Sequence, residues 1–186
     1  MMKTMNKKIE KKIVLEGDFE NVIEIDKHYF LLNKKDRICV LPYTMTNNLL
    51  DKIGVIEDYN YVEEEKVLTL LNDYIYDSDK TDLTAANRIL FEIIGTNVKT
   101  ADDWMYLGTL YNNMSSDSLL KIYCVDLTNV EIKTDEEVEE KSERKNFKLL
   151  DSSKVLQSND ILFLAGFLRL FNYFYINSLN QKENNN

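Results

Sequence analysis

The run "ILFLAGFLRLFNYFYI", residues 161–176, restricts the fold of this chain more than any other stretch. Wound as a helix it is apolar nearly all round, with Leu162, Phe163, Phe167, Leu170, Phe171 and Phe174 spread over more than one face. It is shorter than the roughly 20 residues a membrane span needs, and Arg169 and Asn172 interrupt it. A helix of this kind must be buried on more than one side, against a broad apolar surface of its own chain and, in part, against another subunit. Ser158 or Asn159 stands where a capping side chain is needed, which predicts a helix over about 160–179 and a polar tail over 180–186.

Strands supply the apolar surface. From 13 to 71 the runs "NVIEI", "HYFLLN" and "RICVLPY" alternate or are continuously apolar, and "NKKD" and "NN" supply turns between them. "EEEKVLTLLNDYIY" reads equally as helix or strand. Thr81 or Asp82 can cap a helix that Gly95 ends, with Leu83, Ala86, Leu90 and Ile94 at core spacing. "WMYLGTLY" and "LLKIYCVDLTNV" follow as strands around the loop "NNMSSDS". An acidic loop over 134–145 then leads to the short strand and turn of "NFKLLDSSKVL". Strands, helix, strands, helix is the order of an α/β (α+β) sandwich around a mixed sheet. A chain of 186 residues fits one domain, here 13–179, preceded by a flexible basic arm over 1–12.

Charge and composition exclude several functions. A net charge of −9 argues against nucleic-acid binding except through the basic arm "MMKTMNKKIEKK". Cys39 and Cys124 show no pairing pattern and read as free thiols in a reducing compartment, the cytoplasm or the interior of a virion. The basic start is not followed by the apolar core of a secretory signal. His28 is the lone histidine and makes no metal site by itself, and neither a P-loop nor a G-x-S-x-G pattern is present. The tyrosine clusters at 74–76 and 172–175 suit core packing or a protein interface better than base stacking in so acidic a chain. Richness in Asn, Lys, Ile and Tyr is the bias of an AT-rich genome, bacterial or phage.

The helix "DLTAANRILFEIIG", residues 82–95, resembles the box of the Nudix hydrolase family, G-x5-E-x7-R-E-U-x-E-E-x-G-U with U aliphatic. The resemblance places Arg88 on the arginine, Glu92 on a glutamate and Gly95 on the closing glycine, and "AANR" matches the small pair before the arginine. It implies a Nudix-like α/β/α sandwich and Mg²⁺-dependent cleavage of nucleoside diphosphate derivatives such as ADP-ribose. The box is degenerate. Tyr74 stands for its opening glycine, Lys80 for its first glutamate, and Ile89 and Ile93 for two of the three helix glutamates. Mg²⁺ requires near-octahedral oxygen ligands, and carboxylates spaced i, i+3, i+4 share one helix face. One carboxylate between two isoleucines does not form that cluster, and Lys80 adds a positive charge beside it. Ile89 and Ile93 would instead line the cleft with apolar surface for a partner.

The expected function is therefore a non-catalytic Nudix-like domain without metal or cofactor. It would act as a structural or interaction part of a larger assembly such as a phage virion, binding other protein subunits and no membrane through Ile89, Ile93, Phe163, Phe167, Phe171 and Phe174. The alternative is a divergent Nudix hydrolase in which Glu92 binds Mg²⁺ with help from Glu137 or Glu140 of the acidic loop. A third reading is a sensor that binds a nucleotide without cleaving it.

Overall fold

The computed structural model describes residues 11–60, 64–98, 100–111, 117, 119–132 and 146–184, with backbone alone for 146 and 178–184. Residues 1–10 of the arm expected over 1–12 and the acidic loop with Glu137 and Glu140 lie outside the described residues, as does most of the 112–118 loop, while Lys12, expected in the arm, already belongs to a strand.

Strands β1 (Lys12–Glu16), β2 (Glu20–Ile25) and β3 (His28–Asn33) form an antiparallel sheet of their own. A second, larger sheet begins with β4 (Arg37–Thr46) and β5 (Leu49–Asn60). Asn47 and Asn48 join that pair with φ of 53° and 63°. Two consecutive left-handed residues make the tight turn whose twist suits a hairpin, and asparagine tolerates the conformation. Asp26 and Lys27 (φ 48° and 69°) make the same kind of turn between β2 and β3 without a sequence signal as clear.

The ambiguous segment after β5 is strand: β6 (Glu65–Thr69) pairs with β5, and β7 (Leu71–Tyr74) pairs with β4. Helix α1 (Asp82–Ile94) follows, then β8 (Trp104–Tyr111), β9 (Leu119–Asp126), β10 (Asn146–Asp151), a 3-10 turn (Ser152–Gln157) and α2 (Ile161–Asn184). The large sheet runs β10-β5-β4-β9-β8, with β6 and β7 attached to β5 and β4. Its β4–β9 pair is parallel and its other pairs are antiparallel. A parallel pair needs a long crossover, and the segment carrying α1 lies within it.

Alternation along β4 builds two cores. Ile38 and Val40 pack with Ile56, Leu71 and the α1 residues Ala85, Ala86, Ile89, Leu90 and Ile94. Cys39, Leu41 and Tyr43 point the other way and pack with Ile53, Val55 and the α2 residues Phe163, Phe167 and Leu170. The two helices therefore cover opposite faces of one mixed sheet, an α/β/α sandwich. Gly166 lets α2 lie close, since a Cβ there would sit 3.3 Å from Leu70 Cδ1.

The last helix departs from expectation at both ends. Its cap is Asp160, whose Oδ1 accepts the Phe163 N–H at 2.8 Å, rather than Ser158 or Asn159. Ser158 Oγ accepts the Asp160 N–H and donates to the Leu68 carbonyl, which ties the start of the helix to β6. The helix continues to Asn184, through most of the expected tail, because no glycine or proline after Gly166 stops it. Of the aromatic side chains expected to meet a partner, Phe163 is fully buried and Phe167 nearly so, both against the sheet. Phe174 is half-buried with its ring edge-on to Tyr43, and Phe171 is 52% exposed.

Candidate functional site

Helix α1 and the loop before it form the site. Thr81 caps the helix, its Oγ1 accepting the Thr84 N–H at 3.1 Å. Gly95 ends it in the left-handed conformation (φ 70°), its N–H donating to Phe91 O at 2.8 Å. Both features are local, so both are legible in the residues: an N-terminal hydroxyl acceptor and a glycine at the αL stop.

Arg88 is the centre. It is 19% exposed, and all five of its N–H donors are used. Nε meets both Asp79 oxygens at 3.2 and 3.3 Å, and Nη2 donates to Asp79 Oδ2 at 3.1 Å and to the Tyr74 carbonyl at 2.8 Å. Nη1 donates to Asp73 Oδ2 at 2.9 Å and to Glu92 Oε2 at 3.2 Å. The guanidinium also lies over the Tyr76 ring, 4.2 Å from its centroid. Arg88 and Glu92 thus do pair at i, i+4, but Glu92 is the outermost of three carboxylates and is 53% exposed. Asp79 is the innermost, 3% exposed, and its Oδ2 also accepts the Tyr76 N–H at 2.9 Å.

These contacts shift titration in a consistent direction. Burial alone would raise Asp79, but hydrogen bonds from Arg88 and the Tyr76 N–H outweigh it and hold the carboxyl below its ordinary value. Burial would lower Arg88, and its bonds to Asp79 and Asp73 outweigh that, so the guanidinium stays charged. Tyr76 is raised, first by burial and then by its hydrogen bond to Asp73.

Of the other positions aligned with the box, Tyr74, Ile89 and Ile93 hold packing side chains. Tyr74, at the place of the opening glycine, stacks on Phe19 with centroids 4.4 Å apart and donates from its hydroxyl to Glu20 Oε1 at 3.0 Å. It therefore ties the small sheet to the large one. Lys80 is exposed. Ile89 does not line an open cleft: it is 1% exposed, because the buried face of α1 is wide enough to take residues 85, 86, 89 and 90 together. Ile93 is half-buried at the margin of the same core. Asp73, Asp79 and Tyr76 were not among the sequence candidates. The only signal for them is three acids in "NDYIYDSD", and nothing local says that this loop folds back onto Arg88 or which of the acids reach it.

The described donors do not fit Mg²⁺. Asp79 and Glu92 each present both oxygens to Arg88, and Asp73 divides its pair between Arg88 and the Tyr74 N–H, so all three carboxylates are turned onto the guanidinium. Among the described residues no group of three carboxylate, histidine or cysteine side chains is arranged to hold a metal ion. The charge that Asp73, Asp79 and Glu92 surround is the guanidinium of Arg88. At the other end of α1, Lys121 Nζ bridges Asp82 and Asp36 at 3.1 and 3.2 Å, which joins the helix start to the sheet.

No family model and no curated protein matches the sequence. Solved structures do match the fold. One, the crystal structure of an ADP compounds hydrolase, aligns with a TM-score of 0.64 at 14% identity, over 89% of this chain and 92% of that one. Another, the NUDIX domain of NrtR from Shewanella oneidensis complexed with ADP ribose, aligns with a TM-score of 0.57 at 15% identity, over 74% and 86%. The chain has a Nudix-like fold. In this Nudix-like sandwich α1 is the helix that the box resemblance singled out, flanked by β7 and the loop that Arg88 clamps. Among the described residues no helix is long and apolar enough to cross a membrane.

Proposed function

We propose that this Nudix-like domain does not hydrolyse nucleotides and serves as a structural or interaction component of a larger assembly, with other protein subunits as its partners and a phage particle as one setting. The observation that carries the reading is the saturation of Arg88. Its five donors take up the carboxylates nearest the box helix and leave none free to grip a phosphate. Ile89 and Ile93 supply no ligand beside Glu92, and among the described residues no metal-holding group is there to activate a water.

A second reading has support from the similar structures, one an ADP compounds hydrolase and the other a domain with ADP ribose bound. In it Glu92 ligates Mg²⁺ with Glu137 or Glu140, and the chain cleaves nucleoside diphosphate derivatives. One assay decides between them: the pure protein is incubated with ADP-ribose and a panel of nucleotides, with Mg²⁺ or Mn²⁺, and products are separated by chromatography. We expect no turnover. Metal-dependent turnover that Glu92→Gln abolishes would establish the hydrolase instead.

A further inference from the structure

We propose that α2 is the contact surface of a homodimer, in which its outer face packs antiparallel against the same face of a second copy. The sheet-facing side of α2 is occupied by Phe163, Phe167 and Leu170. The opposite side is also apolar. Ile161, Leu164, Leu168, Phe171 and Tyr175 follow one another at intervals of 3, 4, 3 and 4 residues. That is the spacing of a seam that meets another helix at a shallow angle. Ile161 is 76% exposed, Leu168 55%, Phe171 52% and Tyr175 54%.

Among the described residues the other helix, α1, is packed on the opposite face of the sheet, so we take the partner helix from another chain, and the charge distribution indicates which. Between 161 and 176 the one charged residue is Arg169, and its guanidinium donates to the Leu107 and Thr109 carbonyls at 3.0 and 3.2 Å. The seam thus offers a foreign partner no charge to recognise. Two copies of a chain carrying −9 repel over most of their surface, and a face without charge is where they can approach.

Shape agrees. Along the seam runs a groove of about 490 Å³, lined by Leu49, Leu50, Leu156 and Phe167 together with Leu168 and Phe171 of the seam itself. Under two-fold symmetry the ridge of each copy meets the groove of the other. A large apolar side chain at half exposure leaves on the order of 100 Å² accessible. Leu49, Leu156 and the exposed seam together therefore present roughly 600 Å² per copy, close to the ~800 Å² per partner of a standard interface. An axis at Leu168 sets Ile161 of each copy against Tyr175 of the other, since both lie seven residues from it.

The proposal stands on α2 and its groove alone, whether or not the box is silent. Sedimentation equilibrium of the full chain from micromolar to hundred-micromolar concentration tests it. We expect a dimer that Leu168→Glu weakens by roughly a hundredfold or more, because two carboxylates then meet at the axis. Leu168 is exposed, so the far-ultraviolet circular dichroism of this variant should match the parent. Leu15→Glu, on the exposed strand β1, should leave the dimer intact. Leu168→Cys should give a disulfide dimer on mild oxidation, with Cys39 and Cys124 buried and out of reach. A monomer at every concentration would overturn the proposal. So would a dimer indifferent to Leu168→Glu, or one that dissociates with Leu15→Glu instead.

Discussion

Replacing Arg88 by alanine should cost about 3–4 kcal/mol of stability at neutral pH, although the side chain lies in a site that resembles catalytic machinery. The largest part comes from Asp79. At 3% exposure it would keep its charge and lose the fork that compensates it, and stripping one partner from a buried pair costs about 3–5 kcal/mol. Asp73 and Glu92, 29% and 53% exposed, regain water and add little, with the helical pair worth about 0.3–0.5 kcal/mol. The contact with Tyr76 contributes about 0.5–1 kcal/mol. The loss is a large share of the ~5–15 kcal/mol that holds a domain together.

The pH dependence carries a sign. In the parent, Asp79 lies below its unfolded value, so its contribution is present above about pH 4 and is lost as pH falls through the depressed folded value. Without the guanidinium, burial dominates and favours the protonated acid. The penalty of Arg88→Ala should therefore shrink as pH is lowered through about 4. Urea unfolding followed by circular dichroism at pH 7 and pH 4 measures both effects. Arg88→Lys should not rescue, since a single ammonium cannot replace the fork, whereas adding Asp79→Asn should recover about 2 kcal/mol. A loss under about 1 kcal/mol at pH 7, or one equal at both pH values, would refute the account of Arg88 as a buried clasp.

Restoring the box glutamates one at a time should separate core from cleft. Ile89→Glu should destabilise by about 3–5 kcal/mol, because it puts an unpaired carboxylate where a fully buried isoleucine fills the core, whereas Ile93→Glu, at the margin, should cost about 1–2 kcal/mol in thermal melts. Similar losses from both would mean that Ile89 is not core. Burial pushes the thiols of Cys39 and Cys124 up to about 12, so neither should react with Ellman's reagent at pH 8 until urea unfolds the chain. Rapid labelling of the native protein would contradict the packing of α2 on the sheet.

The legible parts of this molecule are those whose physics is local. The hairpin at Asn47–Asn48 and both ends of α1 depend on φ preferences and a hydroxyl within three residues of its target. The same holds for the pairing of Arg88 with Glu92, one helical turn apart. Segment 63–76 was ambiguous because its apolar residues fit either period, and pairing with β4 and β5 decided for strand. Each of the three adjacent residues of "SND" could cap α2, and only the orientation of the turn off β6 selects Asp160.

By itself the sequence determined the order of elements, the mixed sheet sandwiched between two helices, and the absence of carboxylates at positions 80, 89 and 93. Alternation, helical spacing and residue chemistry are properties of neighbours along the chain. Only the tertiary structure decided that Ile89 is core rather than cleft, and that Phe163 and Phe167 face the sheet while Phe171 does not. It alone brought Asp73 and Asp79, 15 and 9 residues before Arg88, onto one guanidinium. A side chain with five donors accepts whatever carboxylates the fold delivers. Which ones arrive depends on how β7 pairs with β4 and where the loop after it returns, and neither is encoded within reach of a single helical turn.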